Sequence, residues 1–348
     1  MVTVDSALMP QEVQSAVVEG VVQKSVALSL ASKQTMPTLS QAIPVLASFP
    51  TAGWLSASGG RKPTTTMSWT SQIIKAEEVA ATIDVPLAYV DDAGFPLWAE
   101  IQPRMIEALA LVIDQAVLFG TGAPASFPVG GVMAYSTAVT APAAPQNDIV
   151  GCFNAAMAIV EARGLVPSGH AADVTLRAKL RGARTTTGEP LWVPDVSSAG
   201  GGTVYGDPIF WSNGAAFDTT KALDFTGDWT CLRIGIRQDV TVDFSDEAVL
   251  ADATGKVLVS AFQDDKRIMR VHMRLGCVIG KPATAKAPGG ALPWAVIPPG
   301  LAGITMADSE VSLSDEELKQ PESDEVTYMP EQPGAEPEPH GNRRAKSE

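Results

Sequence analysis

Two extended runs around a polar loop limit the possible folds more than any other part of the sequence. The first run covers residues 38–46, where Pro37 and Pro44 disfavour a helix. The second covers residues 70–85, whose later half alternates apolar and polar side chains. Residues 57–66, between the runs, contain Gly-Gly and Lys-Pro, which are typical of a loop tip. A long hairpin of this kind is marginally stable alone, so it is predicted to need a partner surface.

Helical periodicity is strongest over residues 95–119, where apolar side chains form a broad face that includes Met105, Leu109 and Ile113. Gly120 follows this helix at a position suited to a left-handed cap. A weaker helix is predicted over residues 10–31. Its apolar stripe is narrow, and an extended run follows it, so it is predicted to be an arm that packs on something else.

The remaining elements indicate an α+β chain. A further helix is predicted from a cap at Asp148 to Arg163, and a short strand and short helix are predicted between residues 172 and 182. Long strands with alternating side chains are predicted over residues 233–244 and 268–279. Long alternating strands after mixed segments favour α+β over a βαβ series.

The composition changes at residue 284. Ala, Gly and Pro dominate up to residue 300, and the rest of the chain is rich in Asp and Glu. Such a segment buries too little apolar surface to order itself. Residues 284–348 are therefore predicted to form a tail that is disordered or becomes ordered only on binding.

Charge and cysteine usage exclude several classes of protein. The net charge is −14, which disfavours a protein that wraps nucleic acid with Lys and Arg. Cys152, Cys231 and Cys277 are widely spaced and predict buried, reduced thiols. Neither a signal peptide nor an apolar run long enough for a membrane is recognisable, so the chain is expected to be cytoplasmic when made, without a membrane anchor.

The sequence predicts no catalytic, cofactor or metal site. Its histidines, His170, His272 and His340, have no Cys or carboxylate at metal-ligand spacing. No nucleophile elbow and no Walker motif are present. The acid pairs at 77–78 and 91–92 are strand neighbours that would point to opposite faces, which does not suit paired acid–base chemistry. The chain is therefore predicted not to be an enzyme.

Several separated motifs occur in one order between residues 8 and 282. They are residues 36–54, Gly-Gly-Arg-Lys-Pro-Thr at 59–64, residues 97–101 with the helix end at 114–122, Thr-Gly-Glu-Pro-Leu at 187–191, Val-Tyr-Gly-Asp-Pro-Ile at 204–209, and residues 235–237 followed by 262–275. In this order the chain resembles the major capsid proteins of tailed bacteriophages, which have the Hong Kong 97-type fold.

The resemblance implies an architecture for the whole chain. It would comprise an N-terminal arm (1–45), an extended hairpin loop (46–85), a peripheral domain with a long spine helix (86–145), an axial domain (146–232), return strands of the peripheral domain (233–283) and the C-terminal tail (284–348). An arm and a hairpin that cannot be stable alone would then lie across neighbouring subunits of a symmetric shell.

The resemblance also implies a function. The chain would self-assemble into pentamers and hexamers of the icosahedral head, enclose double-stranded DNA without sequence-specific binding, and be found in the virion after assembly in the host cytoplasm. Relatives also work with a portal and, in some cases, a decoration protein. Because the arm begins near residue 8, with no long scaffolding region before it, scaffolding is expected from a separate protein or is unnecessary.

Three hairpin residues, Trp54, Arg61 and Lys62, are predicted to contact other subunits, because an amphipathic aromatic and a charged tip suit interfaces. Core packing is an equally good interpretation of Trp54. Some relatives cross-link a loop Lys to a neighbour's Asn, and Asn147 or Asn213 would be the acceptors for Lys62. An ordinary interface hydrogen bond or ion pair is the favoured role of Lys62.

Two other functions stay open at this stage. An encapsulin-like shell would use the same fold to hold a cargo enzyme, and its particles would lack DNA. A soluble hydrolase or binding protein would use the hairpin as a lid over a deep, polar pocket.

Overall fold

The computed structural model describes residues 25–55, 62–88, 97–143, 148–184, 187–192, 202–252 and 254–301. Several sequence predictions therefore lie outside the described residues. They are most of the helix at 10–31, Arg61, the acid pair at 91–92, Asn147, His340 and the acidic segment beyond residue 301.

The described helices and strands alternate irregularly along the chain. In chain order they are α1 (Val26–Leu30), β1 (Ser32–Thr35), β2 (Ser40–Ser48), β3 (Ser68–Lys75), β4 (Glu77–Pro86), α2 (Leu97–Phe119), α3 (Gly131–Ala134), β5 (Ser136–Ala138), α4 (Ile149–Glu161), β6 (Gly169–Asp173), α5 (Leu176–Gly182), β7 (Gly202–Val204), β8 (Asp207–Ser212), β9 (Asp224–Gly227), a 3-10 turn (Trp229–Cys231), β10 (Leu232–Ser245), β11 (Val249–Ala251), β12 (Val257–Ser260), β13 (Lys266–Ile279) and β14 (Trp294–Ile297).

A four-stranded sheet in the order β1-β10-β13-β4 packs on the long helix α2. Strands β10 and β13 pair antiparallel over most of their length, and β1 joins β10 in parallel. The side chains of β13 alternate, so that Met269, Val271 and Met273 are buried. The predicted core positions of α2, including Leu109 and Ile113, are buried against the same cluster, which confirms the amphipathic helix.

Gly120 ends α2 in the predicted left-handed conformation, with φ of 69°. A Cβ at this position would lie 2.7 Å from the Cα of Gly130. Glycine is therefore required here twice, for the backbone angle and for the close approach of the loop before α3.

A six-stranded sheet has the order β5-β14-β9-β6-β8-β7 and is covered by α4 and α5. Asp148 caps α4 as predicted, by accepting a hydrogen bond from the N–H of Gly151 at 2.8 Å. The predicted strand at 172–176 lies slightly earlier, at β6, and α5 begins at Leu176 as predicted.

The prediction that residues 284–348 form a disordered tail was wrong for their first part. Strand β14 lies inside the six-stranded sheet, parallel to β5 and antiparallel to β9, and all four of its residues are buried. A four-residue strand that is covered on both faces shows no alternation. The Ala, Gly and Pro residues around it therefore concealed a core strand.

Strands β2 and β3 form the predicted hairpin, paired antiparallel from Ser40–Lys75 to Ser48–Ser68. The second extended run, predicted as one strand over 70–85, is two strands instead. It breaks at Ala76, whose N–H donates to the carbonyl of Leu39, and β4 then joins β13 in the four-stranded sheet. The hairpin is thus shorter at its root than the sequence pattern indicates.

Candidate assembly surfaces

The root of the hairpin is anchored in its own subunit. Ile43 and Ile74, on the inner face of the hairpin, form a small buried cluster with Met36 and Ala76. The cluster sits over a pair of facing glycines, Gly235 and Gly276, on β10 and β13. A Cβ on Gly235 would lie 2.4 Å from the sulfur of Met36, and one on Gly276 would lie 2.5 Å from the carbonyl oxygen of Lys75. The missing side chains make the slot in which the root is seated.

The outer face of the hairpin carries several apolar side chains, around Ser71, that remain largely exposed among the described residues. Trp69 and Ile73 lie on this face and are 60% and 66% exposed. Their cross-strand partners are Leu46 and Ala42, and Pro44 lies between them on β2. Contiguous exposed apolar surface of this kind typically marks an interaction site.

The hairpin limbs beyond the paired strands continue this exposure. Trp54 is 103% exposed, so it does not pack in the core of its own subunit. Lys62 is also exposed on the returning limb, while Arg61 lies outside the described residues. A hydrogen bond from the Thr51 N–H to the hydroxyl of Thr65, 2.9 Å long, links the two limbs on the root side of Trp54 and Lys62. The described structure leaves the predicted contact residues Trp54 and Lys62 available to another molecule.

The first turn of α1 is held by a buried carboxylate that the sequence analysis did not single out. Asp114 on α2 accepts hydrogen bonds from the Ser25 hydroxyl (2.6 Å) and from the N–H groups of Val26 and Ala27 (both 3.0 Å). Burial raises the pKa of Asp114 to about 6, although the three hydrogen bonds oppose the rise. The signal in the sequence was an acid on the apolar face of an otherwise amphipathic helix.

A second polar group is buried in the six-stranded sheet. The Thr226 hydroxyl donates to Asp224 at 2.6 Å, so its oxygen is left to accept from Nδ1 of His170 at 2.9 Å. The ring of Phe153 stacks edge-on against His170 at 5.2 Å. This chain of hydrogen bonds satisfies Nδ1 of His170 and one carboxylate oxygen of Asp224, whereas Nε2 of His170 and the other Asp224 oxygen are buried without a hydrogen-bond partner among the described residues. Among the described residues, no group of three or more His, Cys, Asp and Glu is arranged to hold a metal ion.

Two surface glutamates at the edge of the four-stranded sheet are paired with cations. Arg274 contacts Glu78 at 2.8 Å, while Glu77 pairs with Lys75 at 2.7 Å. Hydrogen bonds from these cations lower the pKa of both glutamates. Each member of the 77–78 acid pair therefore has its own structural partner, as expected for strand neighbours that face opposite ways.

The cysteines and cavities also carry structural information. Cys152, Cys231 and Cys277 are buried free thiols, which confirms the prediction. A groove of about 230 Å³ lies between the hairpin root and the ends of β10 and β13. This volume is below the roughly 300–1,000 Å³ of typical small-molecule sites. Within the described residues, no helix is both long and apolar enough to cross a membrane.

Comparison with known proteins agrees with this architecture. The model of the phage capsid family matches residues 5–288. The solved structure from Mycobacterium phage Adephagia is 28% identical, with 80% of this chain and 90% of that chain covered and a TM-score of 0.69. The structure from Mycobacterium phage Bobi is 29% identical, with coverage of 79% and 90% and a TM-score of 0.67. Comparison with the curated proteins gave no match.

A more distant structure shares the fold. It is the capsid of an empty GTA particle, computed with C5 symmetry, which is 16% identical over 79% of this chain and 89% of that chain, with a TM-score of 0.53. The two packed sheets, the long helix and the uncovered hairpin define a structural subunit of a shell. The chain belongs to the phage capsid family, with the Hong Kong 97-type fold, and is the major capsid protein of a phage head.

Membership of this family confirms the α+β fold and the virion role that the sequence motifs implied. It does not favour the encapsulin-like shell or the hydrolase and binding-protein alternatives. A family of structural subunits indicates a non-enzymatic role.

Proposed function

We propose that this subunit forms pentamers and hexamers through its hairpin, and that these capsomers close into an icosahedral head around double-stranded DNA. The observation that carries the proposal is the apolar outer face of the hairpin, which is exposed although the hairpin root is firmly seated. The GTA capsids, described with C5 symmetry, support fivefold capsomers as one element of the design.

The energetic argument starts from exposed apolar area. Fully burying a large apolar side chain contributes about 1.5–3 kcal/mol, so Trp69 and Ile73 together supply a useful part of one subunit contact. Each subunit repeats the contact, and closed symmetry multiplies it around the shell. Trp54 and Lys62, with Arg61, would form the far end of the same contact, where an aromatic ring and cations suit an interface core and rim.

The two sheets set the boundaries of the proposed domains. The peripheral domain would comprise the four-stranded sheet with α2, and the axial domain would comprise the six-stranded sheet with α4 and α5. The axial domain would then include β14, which lies well beyond the range of 146–232 expected from the sequence. Of the expected arm (1–45) and extended hairpin (46–85), β1, β4 and the hairpin root belong to the subunit's own body, and the hairpin beyond its seated root would lie across a neighbour.

The net charge of −14 supports enclosure of DNA without sequence-specific binding, because a wall that held phosphates tightly would hinder dense packing. Assembly would take place in the host cytoplasm together with a portal.

Assembly of purified subunits tests the proposal directly. Electron microscopy and sedimentation velocity would compare the native chain with the double variant Trp69→Ser, Ile73→Ser. Shells or discrete capsomers are expected for the native chain, and folded, largely unassembled subunits for the variant. The matched control is Val166→Ser, which changes an exposed apolar residue in the loop before β6. Equal shell yields from all three chains would contradict the role of the hairpin.

A further inference from the structure

The groove beside the hairpin root has the size of one aromatic side chain. It lies between the hairpin and the ends of β10 and β13, and its volume is about 230 Å³. Its apolar walls come from Pro44, Leu46, Trp69, Val278 and Pro282. An apolar cavity of about 150 Å³ holds a benzene ring, so this groove has room for a larger, bicyclic ring but not for a typical small-molecule ligand.

The groove also presents polar groups that suit an indole ring. Gln72 lines it, and the side-chain oxygen of Gln72 is buried without a hydrogen-bond donor among the described residues. A buried acceptor without a donor is costly, and the indole N–H is a donor. Arg233 also lines the groove and is exposed, and a guanidinium group stacks favourably on an aromatic face. The lining therefore fits a tryptophan better than an aliphatic side chain.

The same chain carries a tryptophan that meets these requirements. Among the described side chains, Trp54 and Trp69 are the exposed tryptophans, and Trp69 forms part of the groove wall. Trp54 is 103% exposed, so it does not fill the groove of its own subunit. A protruding ring at one place and a groove of matching size at another are the two halves of a head-to-tail contact. Such a contact between identical copies repeats and closes into a ring where the rotation permits.

We propose that Trp54 of one copy inserts into the groove beside the hairpin root of the adjacent copy in a capsomer. This inference rests on the proposed function and names the surface that receives the hairpin. The indole N–H donates to the side-chain oxygen of Gln72, and the ring packs on the apolar walls beside the guanidinium of Arg233. The contact is stabilised mainly because the large apolar surface of a fully exposed indole is removed from water.

A substitution in the groove tests the contact without a change in the hairpin limb. Gly280 lines the groove, and a Cβ there would lie 3.6 Å from its nearest neighbour, the carbonyl oxygen of Cys231. Gly280→Leu therefore fills part of the groove without a close contact at Cβ. Gly280→Leu and Trp54→Ala should each lower the yield of capsomers and shells at least several-fold, with native-like unfolding in urea. The matched control is Gly289→Leu, where a Cβ would meet nothing within 4 Å and assembly should be normal.

Cross-linking between two chains identifies the receiving surface. One chain carries Leu55→Cys, next to an intact Trp54, and the other carries Thr230→Cys at an exposed residue of the groove. The native cysteines are buried and should stay unreactive in the folded subunit. The two chains are mixed, assembled and treated with a short bismaleimide reagent, and peptide mapping identifies the linked pair. Covalent dimers should be at least several-fold more abundant than in a control mixture with Val166→Cys, which is exposed elsewhere.

The outcomes separate this inference from the proposed function. Capsomers that form normally but cross-link equally to Thr230→Cys and Val166→Cys would overturn the groove contact and leave the proposed function intact. Assembly of Gly280→Leu at the native yield, measured by sedimentation velocity and electron microscopy, would overturn the contact as well. A native chain that forms no capsomers would instead contradict the proposed function, and the contact with it.

Discussion

The hairpin and the six-stranded sheet both contain tryptophans, but the sheet buries its tryptophan whereas the hairpin leaves its tryptophans exposed. Trp294 in β14 is 0% exposed and packs at 5.6 Å against the ring of Trp229. Trp54 in the hairpin limb is fully exposed, and Trp69 on β3 is largely so. The sheet is completed by a strand from the same chain, which arrives more than sixty residues after its neighbour β9. The hairpin has no such strand among the described residues.

This difference indicates where the stability of a shell subunit resides. A sheet that its own chain completes contributes to the folding of the isolated subunit. A hairpin with an uncovered apolar face contributes only when another subunit covers it, because exposed apolar surface gains nothing until water is removed. The folding of the subunit and the assembly of the shell should therefore respond to different substitutions.

The largest expected effect comes from Trp294→Ala. Removal of a fully buried Trp typically costs about 3–5 kcal/mol, since it leaves a cavity as well as losing burial. The free energy of unfolding of the unassembled subunit, measured in urea, should fall by this amount. The substitution should also destabilise the six-stranded sheet as a unit, because β14 lies between β5 and β9.

Trp54→Ala is the matched control for this prediction. The same residue type is removed from a position that is fully exposed, where substitutions typically change stability by less than about 0.5 kcal/mol. Its unfolding should be native-like, while shell yield should decrease. A loss of stability comparable to that of Trp294→Ala would mean that the hairpin limb folds against its own subunit after all.

A smaller effect is expected at the glycine slot that seats the hairpin. Gly235→Ala would place a Cβ 2.4 Å from the sulfur of Met36, and overpacking of this kind typically costs about 1–3 kcal/mol. Thermal unfolding of the subunit should shift accordingly. The control is Gly289→Ala, where a Cβ would meet nothing within 4 Å. A native-like melting temperature for Gly235→Ala would show that the root is not held by this close approach.

Elements with strong periodicity were predictable from the sequence. The long helix α2, the strands β10 and β13, and the hairpin itself all follow from apolar spacing, because each has one covered and one solvated face. Strand β14 was not predictable in this way. Its burial on both faces removes the alternation, and its neighbours in the sheet are distant in sequence.

The candidate sites also differ in whether the sequence alone could reveal them. Trp54 and Lys62 could be singled out because aromatic and charged residues in a loop tip are visible locally. The contact of Asp114 with Ser25 spans 89 positions, and the His170, Thr226 and Asp224 group spans two strands. Spacing in the sequence carries no information about such pairs, because the fold alone brings them together.

Thiol reactivity should show, without any substitution, whether the core around the three buried cysteines stays closed in the folded subunit. Burial raises the pKa of Cys152 to about 11 and that of Cys231 and Cys277 to about 12. At pH 8 the native subunit should react negligibly with a thiol reagent within minutes, because the thiolate is the nucleophile. Three thiols per chain should react after unfolding in urea. Rapid reaction of one thiol in the native state would locate a part of the core that opens readily.

The smallest expected effect concerns a surface ion pair near the small β11–β12 hairpin. Arg267 donates to both carboxylate oxygens of Asp246, at 2.6 and 2.9 Å, and thereby lowers the pKa of Asp246. Both side chains are at least a third exposed, so solvent screening limits the contribution to at most about 1 kcal/mol. Because the pKa is lowered, this contribution is present above the ordinary pKa of Asp and is lost as the pH falls through the lower value in the folded state. Arg267→Gln should thus destabilise the subunit slightly at pH 7 and not at pH 2, and 1 M salt should reduce the difference. A large, salt-independent loss of stability would indicate that other parts of the same chain cover this ion pair. The surface would then differ from the outer face of the β2–β3 hairpin, which its own chain leaves exposed.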